Sequence, residues 1–186
     1  MFTDGMNLKQ GVGCNVTRKR QLEDLLNLKG FYPVIEHWRN GKKIGEYKFQ
    51  NDITNEGKNL ILEIMFHDGT QISSASWCSG LISNTGFTGL ASGDTMASHG
   101  GWTEATGYTQ STRVAWGPGT AASQQITNST PMTFDMNATA TIKGIFISSN
   151  NTKGGTSGKL WATGLFTADV PVVNGDQLKI TYTVAT

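Results

Sequence analysis

The sequence predicts a mainly all-β protein, an antiparallel β-sandwich with an N-terminal arm and one or two short helices. The first observation is a period of two. Phe134, Met136, Ala138, Ala140, Ile142 and Phe146 fall on one face, and Asp135, Asn137, Thr139, Thr141 and Lys143 fall on the other. That alternation makes a half-buried strand, not a helix. The second observation is that two more strands follow. Leu160, Ala162 and Phe166 alternate in one; Leu178, Ile180, Tyr182 and Val184 alternate in the other. Gly154-Gly155-Thr156-Ser157-Gly158 and Asn174-Gly175-Asp176 supply the turns. The third is composition: 23 glycines, abundant Ser and Thr, and only 16% charged residues fit strands and loops better than helices. One greasy sheet face needs a second sheet against it.

At 186 residues the chain holds one domain and an appendage. We expect an arm over residues 1–30 and a single sandwich domain over 31–186. Met1 to Thr17 has no periodicity. Arg18-Lys19-Arg20 precedes a short helical pattern of Leu22, Leu25, Leu26 and Leu28, with Lys29-Gly30 as its expected end. So short a helix needs a surface to dock on, either its own domain or a neighbouring subunit. Glu23 and Asp24 follow the basic run at once, which weakens a nucleic-acid reading.

Phe31 to Asn51 reads as a hairpin around Asn40-Gly41. Val34, Glu36 and Trp38 share one face, and Ile35, His37 and Arg39 the other; His37 is expected at the surface. Lys58–Phe66 follows as a helix with an apolar stripe of Leu60, Ile61, Ile64 and Met65, capped by Thr54 or Asn55 and ended by Asp68-Gly69. Trp77 to Ile82 is a short apolar strand. A long loop then runs from Ser83 to Tyr108, and Thr112 to Trp116 reads as a strand again. Ile126 to Ser129 is a short polar piece leading into the strand at Phe134.

The net charge of +1 gives no global field toward nucleic acid or membrane. Residues 1–70 hold 10 of the 15 Lys+Arg and 9 of the 14 Asp+Glu. The charge-poor remainder suits either a wide contact with another protein or a neutral Ser/Thr/Gly surface. Cys14 and Cys78 sit in unrelated contexts with no metal or redox spacing, so two reduced thiols of cytoplasmic manufacture are expected. No signal peptide or membrane span is expected, since no apolar run is long enough.

The long loop carries Asp94, Ser98, His99 and Glu104. Ser98 and His99 are sequence neighbours, which rarely gives the geometry of a nucleophile and its base, and no GxSxG elbow frames the serine. Asp94, His99 and Glu104 match no recognised ligand spacing. Catalytic, cofactor and metal sites are therefore not expected. Trp102 and Trp116 read as anchors. Glu104 and Arg113, opposite charges in a long uncharged region, are a candidate structural pair across adjacent strands. Trp161 alternates with Leu160 and Ala162, so it points away from the face they bury.

The order of features resembles a group of small structural proteins of tailed bacteriophages. The residues are Arg39-Asn40-Gly41-Lys42, Thr54-Asn55-Glu56-Gly57, Trp77 to Leu81, Gly101-Trp102-Thr103-Glu104, Tyr108, Arg113 and Trp116. Further on come Asn128-Ser129, Phe134, Ala140 to Phe146, Gly158-Lys159-Leu160-Trp161, Phe166 and Gly175 to Leu178. The likeness covers about residues 33–184, is diffuse, and leaves out the arm. It implies a non-enzymatic virion component, most closely a capsid decoration (cement) protein with a jelly-roll sandwich. Its implied partners are the major capsid protein and further copies of itself, with a trimer favoured. Neither a cofactor nor a membrane is implied, and no specific nucleic acid. The implied place is the capsid surface, after synthesis in the bacterial cytoplasm. Interaction residues would be Arg18, Lys19, Arg20, Leu22, Leu25 and Leu26 in the arm, with Trp102 and Trp161 in the domain. The alternatives are a tail, neck or fibre-attachment protein, or a carbohydrate-binding sandwich presenting Trp102, Trp116 or Trp161 to sugar rings.

Overall fold

A computed structural model describes residues 29–185. The strands are β1 (Lys29–Arg39), β2 (Lys42–Ile53), β3 (Cys78–Ser83), β4 (Glu104–Ala105), β5 (Val114–Ala115), β6 (Gln125–Thr127), β7 (Met132–Asp135), β8 (Ala140–Ser148), β9 (Leu160–Val172) and β10 (Gln177–Ala185). One α-helix, α1 (Asn55–Phe66), joins β2 to β3, and a single 3₁₀ turn spans Ser74–Ser76. All strand pairings are antiparallel, as expected for an all-β sandwich.

The expected second sheet is the far half of the first. The order is β4-β3-β8-β9-β2-β1-β10-β6, with β5 also on β3 and β7 also on β10. This sheet curls until its ends meet through bridges at Tyr108–Met136 and Pro118–Asn128. Thr109 N donates to Asp135 O at 2.8 Å and Gly119 N to Thr127 O at 2.8 Å along that seam. Joining the ends leaves little open edge for a foreign strand to pair with.

Local chemistry explains the connections. Asn40 (φ 50°) and Gly41 (φ 73°) make the two-residue hairpin turn that needs positive φ at both positions. Thr54 caps α1 by accepting from Gly57 N at 3.0 Å. Asp68 (φ 53°) turns the chain out of the helix, and Gly69 N donates to Glu63 O at 2.9 Å.

Several expectations are corrected. Lys29 and Gly30 do not end a helix. They begin β1, where Lys29 pairs with Ala185 and Gly30 with both Val184 and Asn51. Partners on both sides satisfy that backbone as strand. The arm residues Arg18, Lys19, Arg20, Leu22, Leu25, Leu26 and Leu28 lie outside the described residues. The long strand from Phe134 is two strands. β7 pairs with β10, whereas β8 pairs with β3 and β9, and the chain crosses between them at 137–139, where Ala138 is exposed. The α1 stripe is half-buried at Leu60, Ile61 and Ile64, but Met65 faces solvent.

Phe146 does not share a face with Ile142. On β3, Ile82 pairs with Gly144 and Ser83 with Ile142, so β8 carries an extra residue there. A bulge of this kind reverses the alternation beyond it. Ile142, Ile145 and Ile147 therefore point into the main core, with Phe49, Phe134, Phe166, Leu178, Ile180 and Tyr182. Phe146 points outward into a second core with Ile82, Met96, Trp102 and Leu160. That outer layer is roofed by the loop between β3 and β4, so the middle of the sheet is buried on both faces.

At the bulge, β8 and β9 approach closely. A Cβ on Gly144 would sit 2.0 Å from Gly164 O. Gly144→Ala is expected to cost about 3 kcal/mol, the upper end of overpacking penalties, read as a lowered urea midpoint. Gly93→Ala, where a Cβ meets nothing within 4 Å, should move the midpoint little.

Candidate functional site

The outer layer holds the strongest polar constellation among the described residues. Glu104 stands on β4 opposite Ile82, which sends its side chain to the outer face of β3. Arg113 precedes β5 and reaches the same face. Gly80 lies beneath them: a Cβ there would be 2.3 Å from the Phe146 ring and 2.9 Å from Glu104 Oε1. The missing side chain lets an aromatic ring and a carboxylate rest against the strand.

Glu104 and Arg113 meet as the sequence suggests. Arg113 Nη2 donates to Glu104 Oε2 at 2.8 Å, and the side chains are 1% and 7% exposed. Arg113 Nε donates to both carboxylate oxygens, at 3.1 and 3.2 Å. Nη1 donates to Ser148 Oγ at 3.3 Å and Asn150 O at 2.9 Å, and Nη2 also to Gly155 O at 2.6 Å. The guanidinium stacks over Phe146 at 4.9 Å. Glu104 also accepts from Gly154 N at 2.8 Å and from Tyr108 Oη at 3.4 Å. Burial, reinforced by the Glu104 carboxylate, pushes the Tyr108 hydroxyl well above its ordinary pKa and keeps it a neutral donor. A cleft of about 260 Å³ opens here beside His99, Trp102 and Gly155. Its two charged groups are saturated by protein partners, so the constellation works as a clasp. It ties β4, the end of β8 and the 149–159 loop together.

The other residues of the long loop are held the same way. Asp94 accepts from Trp102 Nε1 at 3.0 Å and from Ala91 N at 2.9 Å. His99 stacks on Trp102 with ring centroids 4.1 Å apart. Ser98 is exposed, and its backbone N donates to Thr95 Oγ1. No group of three or more His, Cys, Asp or Glu side chains able to hold a metal occurs among the described residues.

Trp102 is corrected from interaction residue to core residue: it is 2% exposed, because the loop folds over it. Trp116 is also buried, with Nε1 donating to Tyr182 O at 3.2 Å. Trp161 does point away from Leu160, yet it is half-buried rather than displayed. It meets Trp77 edge-on at 6.2 Å, and the first turn of α1 rests against it at Gly57. These three indoles form no open platform for a sugar ring.

A second buried charge centre went unread in the sequence. His37 is 3% exposed, not at the surface. Asp176, with a fully buried side chain, accepts from His37 Nε2 at 2.8 Å, Arg39 Nε at 2.7 Å, Arg39 Nη2 at 2.8 Å and Val173 N at 2.9 Å. The Arg39 hydrogen bonds, followed by the Val173 amide and His37, hold its carboxyl well below the ordinary Asp range against the opposing effect of burial. The only sequence signals were the inward phase of His37 and Arg39 on β1 and an Asp in the turn before β10.

Two outcomes are expected. Arg113→Met leaves Glu104 buried without its partner and should cost about 3–5 kcal/mol. It should also release amide exchange at Gly154 and Gly155, whereas Arg113→Lys, lacking the planar fork, restores only part of the protection. The Asp176 contribution is complete above about pH 4, the ordinary Asp range, and is lost as pH falls toward the lowered folded value. Thermal melts across acid pH should show Asp176→Asn less stable near neutrality, with the gap closing below about pH 4.

No protein-family model matches this chain, and no curated protein sequence matches it either.

Proposed function

We propose that the chain is a bacteriophage virion structural protein of the capsid decoration type. It binds the outer shell and braces contacts between major capsid subunits. One observation carries this reading. Residues 71–186 contain ten charged side chains, and each has a partner within the chain, some of them at the surface. Glu104 pairs with Arg113, Lys143 with Asp169, Lys159 with Glu56, and Asp176 with Arg39. Asp94 holds Trp102, Asp135 holds Gln110 and Gln177, Lys153 reaches the Tyr108 and Gln110 carbonyls, and Lys179 lies over Trp38. The surface of this part of the chain therefore carries few charges, all of them paired, and is rich in Ser, Thr, Asn and Gly. Depletion of free charge marks the centre of protein–protein interfaces, where an unpaired charge would lose its water.

A rigid, neutral domain suits clamping. Each contact need only be modest, because a homo-oligomer, with a trimer favoured, engages several sites at once. The diffuse resemblance over about residues 33–184 points to the same class. The capsid surface is the proposed location and the host cytoplasm the place of synthesis. The clasped loop supports a non-enzymatic role, since its acidic and basic groups are held by the fold. No helix among the described residues is long and apolar enough to cross a membrane.

The test is co-sedimentation of the full chain with undecorated capsids of the phage that encodes it, alongside light scattering for oligomer size. Saturation at a fixed ratio to capsid subunits is expected. Binding only to purified tails would move the protein to the tail, and binding to neither particle would overturn the virion reading.

A further inference from the structure

We propose that Asn40 is a chemical modification site: the hairpin turn Asn40-Gly41 converts spontaneously, through a cyclic imide, to aspartate and isoaspartate. This goes beyond the shell-binding reading and does not rest on it.

The reaction needs a side-chain amide, or more slowly a carboxyl, followed by an unhindered backbone nitrogen. Three such pairs occur among the described residues: Asn40-Gly41, Asp68-Gly69 and Asn174-Gly175. Glycine is the least obstructing successor, because no Cβ crowds its nitrogen. By sequence alone Asn40 and Asn174 rank equal. The fold separates them.

At Asn174 the glycine nitrogen is engaged. Gly175 N donates to Met136 O at 2.8 Å, and Met136 N donates back to Asp176 O at 2.8 Å. Val173 N donates to the buried Asp176 carboxylate at 2.9 Å. That turn is held from both sides. Gly69 N is engaged too, with Glu63 O at 2.9 Å. The hairpin tip differs. Asn40 and Gly41 are both exposed, and a Cβ on Gly41 would meet nothing within 4 Å. Gly41 N has no acceptor among the described residues. Exposed loop tips open most readily, and opening lets this nitrogen reach the side-chain carbon. Lys42 follows at once and is exposed. A cation beside the amide favours its deprotonated, attacking form.

In the first step the Gly41 amide gives up its proton and its nitrogen bonds to Asn40 Cγ. The bond from Cγ to Nδ2 breaks, and ammonia leaves with that proton. Water then opens the imide. Cleavage at Cγ gives aspartate. Cleavage at the backbone carbonyl gives isoaspartate, whose main chain runs on through the former side chain. Either product adds a carboxylate and cancels the formal net charge of +1. Isoaspartate also adds a methylene to a turn that is closed by two residues with positive φ.

The test incubates the full chain in mildly alkaline heavy-oxygen water and maps its peptides by mass and fragmentation. The heavy label marks only residues that convert during the incubation. Asn40 is expected to convert about tenfold faster than Asn174, the effect of about one retained hydrogen bond. In urea, where neither turn is held, the two should convert at similar rates. No label at Asn40, equal rates in the folded chain, or faster conversion at Asn174 would each overturn the proposal. So would an advantage of Asn40 that persists unchanged in urea, since the fold would then not be its cause. Asn40→Gly accepts the positive φ and should abolish the label in that peptide. Label persisting there would assign the reaction to another residue and also overturn the proposal. Shell binding plays no part in these readouts, so the two proposals fail separately.

Discussion

The structure depends on a buried pair of opposite charges. Glu104 on β4 and Arg113 just before β5 belong to two short strands that the sheet alone would hold weakly, because β4 and β5 contain two residues each. Strands so short offer few ladder bonds. The pair replaces them with a hub. From one guanidinium, bonds extend to Glu104 on β4, to Ser148 at the end of β8, and to Asn150 and Gly155 in the loop that follows it. In a dry site such a pair repays its desolvation only when every donor and lone pair is used. Here they are used, and Gly80 and Phe146 provide the shaped floor.

The same logic recurs at the opposite end of the sheet. Asp176 sits in the turn between β9 and β10 and gathers two side chains from β1, fixing the turn to the hairpin beside it. Inside the curl, Tyr182 Oη accepts from Asn51 Nδ2 at 2.6 Å, and burial pushes that phenol well above its ordinary pKa. Polar groups in this protein are used to fasten neighbouring elements. The exposed charges are concentrated in residues 42–68, where Lys42, Lys43, Glu46, Lys48, Asp52, Lys58, Glu63 and Asp68 face solvent.

Much of the fold was legible. β10 alternates cleanly, and the structure buries Leu178, Ile180, Tyr182 and Val184 as the period requires. Asn40-Gly41 named its turn, and Thr54, one of the two candidates with Asn55, is the cap, because both are local chemistry. The Glu104–Arg113 pair was legible because two charges stood alone in a neutral stretch. Phe146 misled because one extra residue reverses a period of two, and nothing at Lys143-Gly144 announces it beyond a glycine. His37 misled because its partner lies 139 residues away. Trp102 misled because a long loop can fold back into a second core, which periodicity does not see.

The pairing of β1 with β10 has a consequence for how the protein is made. Lys29 lies against Ala185 and Trp38 against Gln177, so the first described strand waits for the last. During synthesis β1 and β2 can form their hairpin early, but one flank of β1 stays open until β10 emerges. Pairings this distant in sequence slow folding, since the loop must close before the contacts form. The nascent chain therefore spends most of its translation with one flank of β1 unpaired, an open edge of the kind that favours association with other chains.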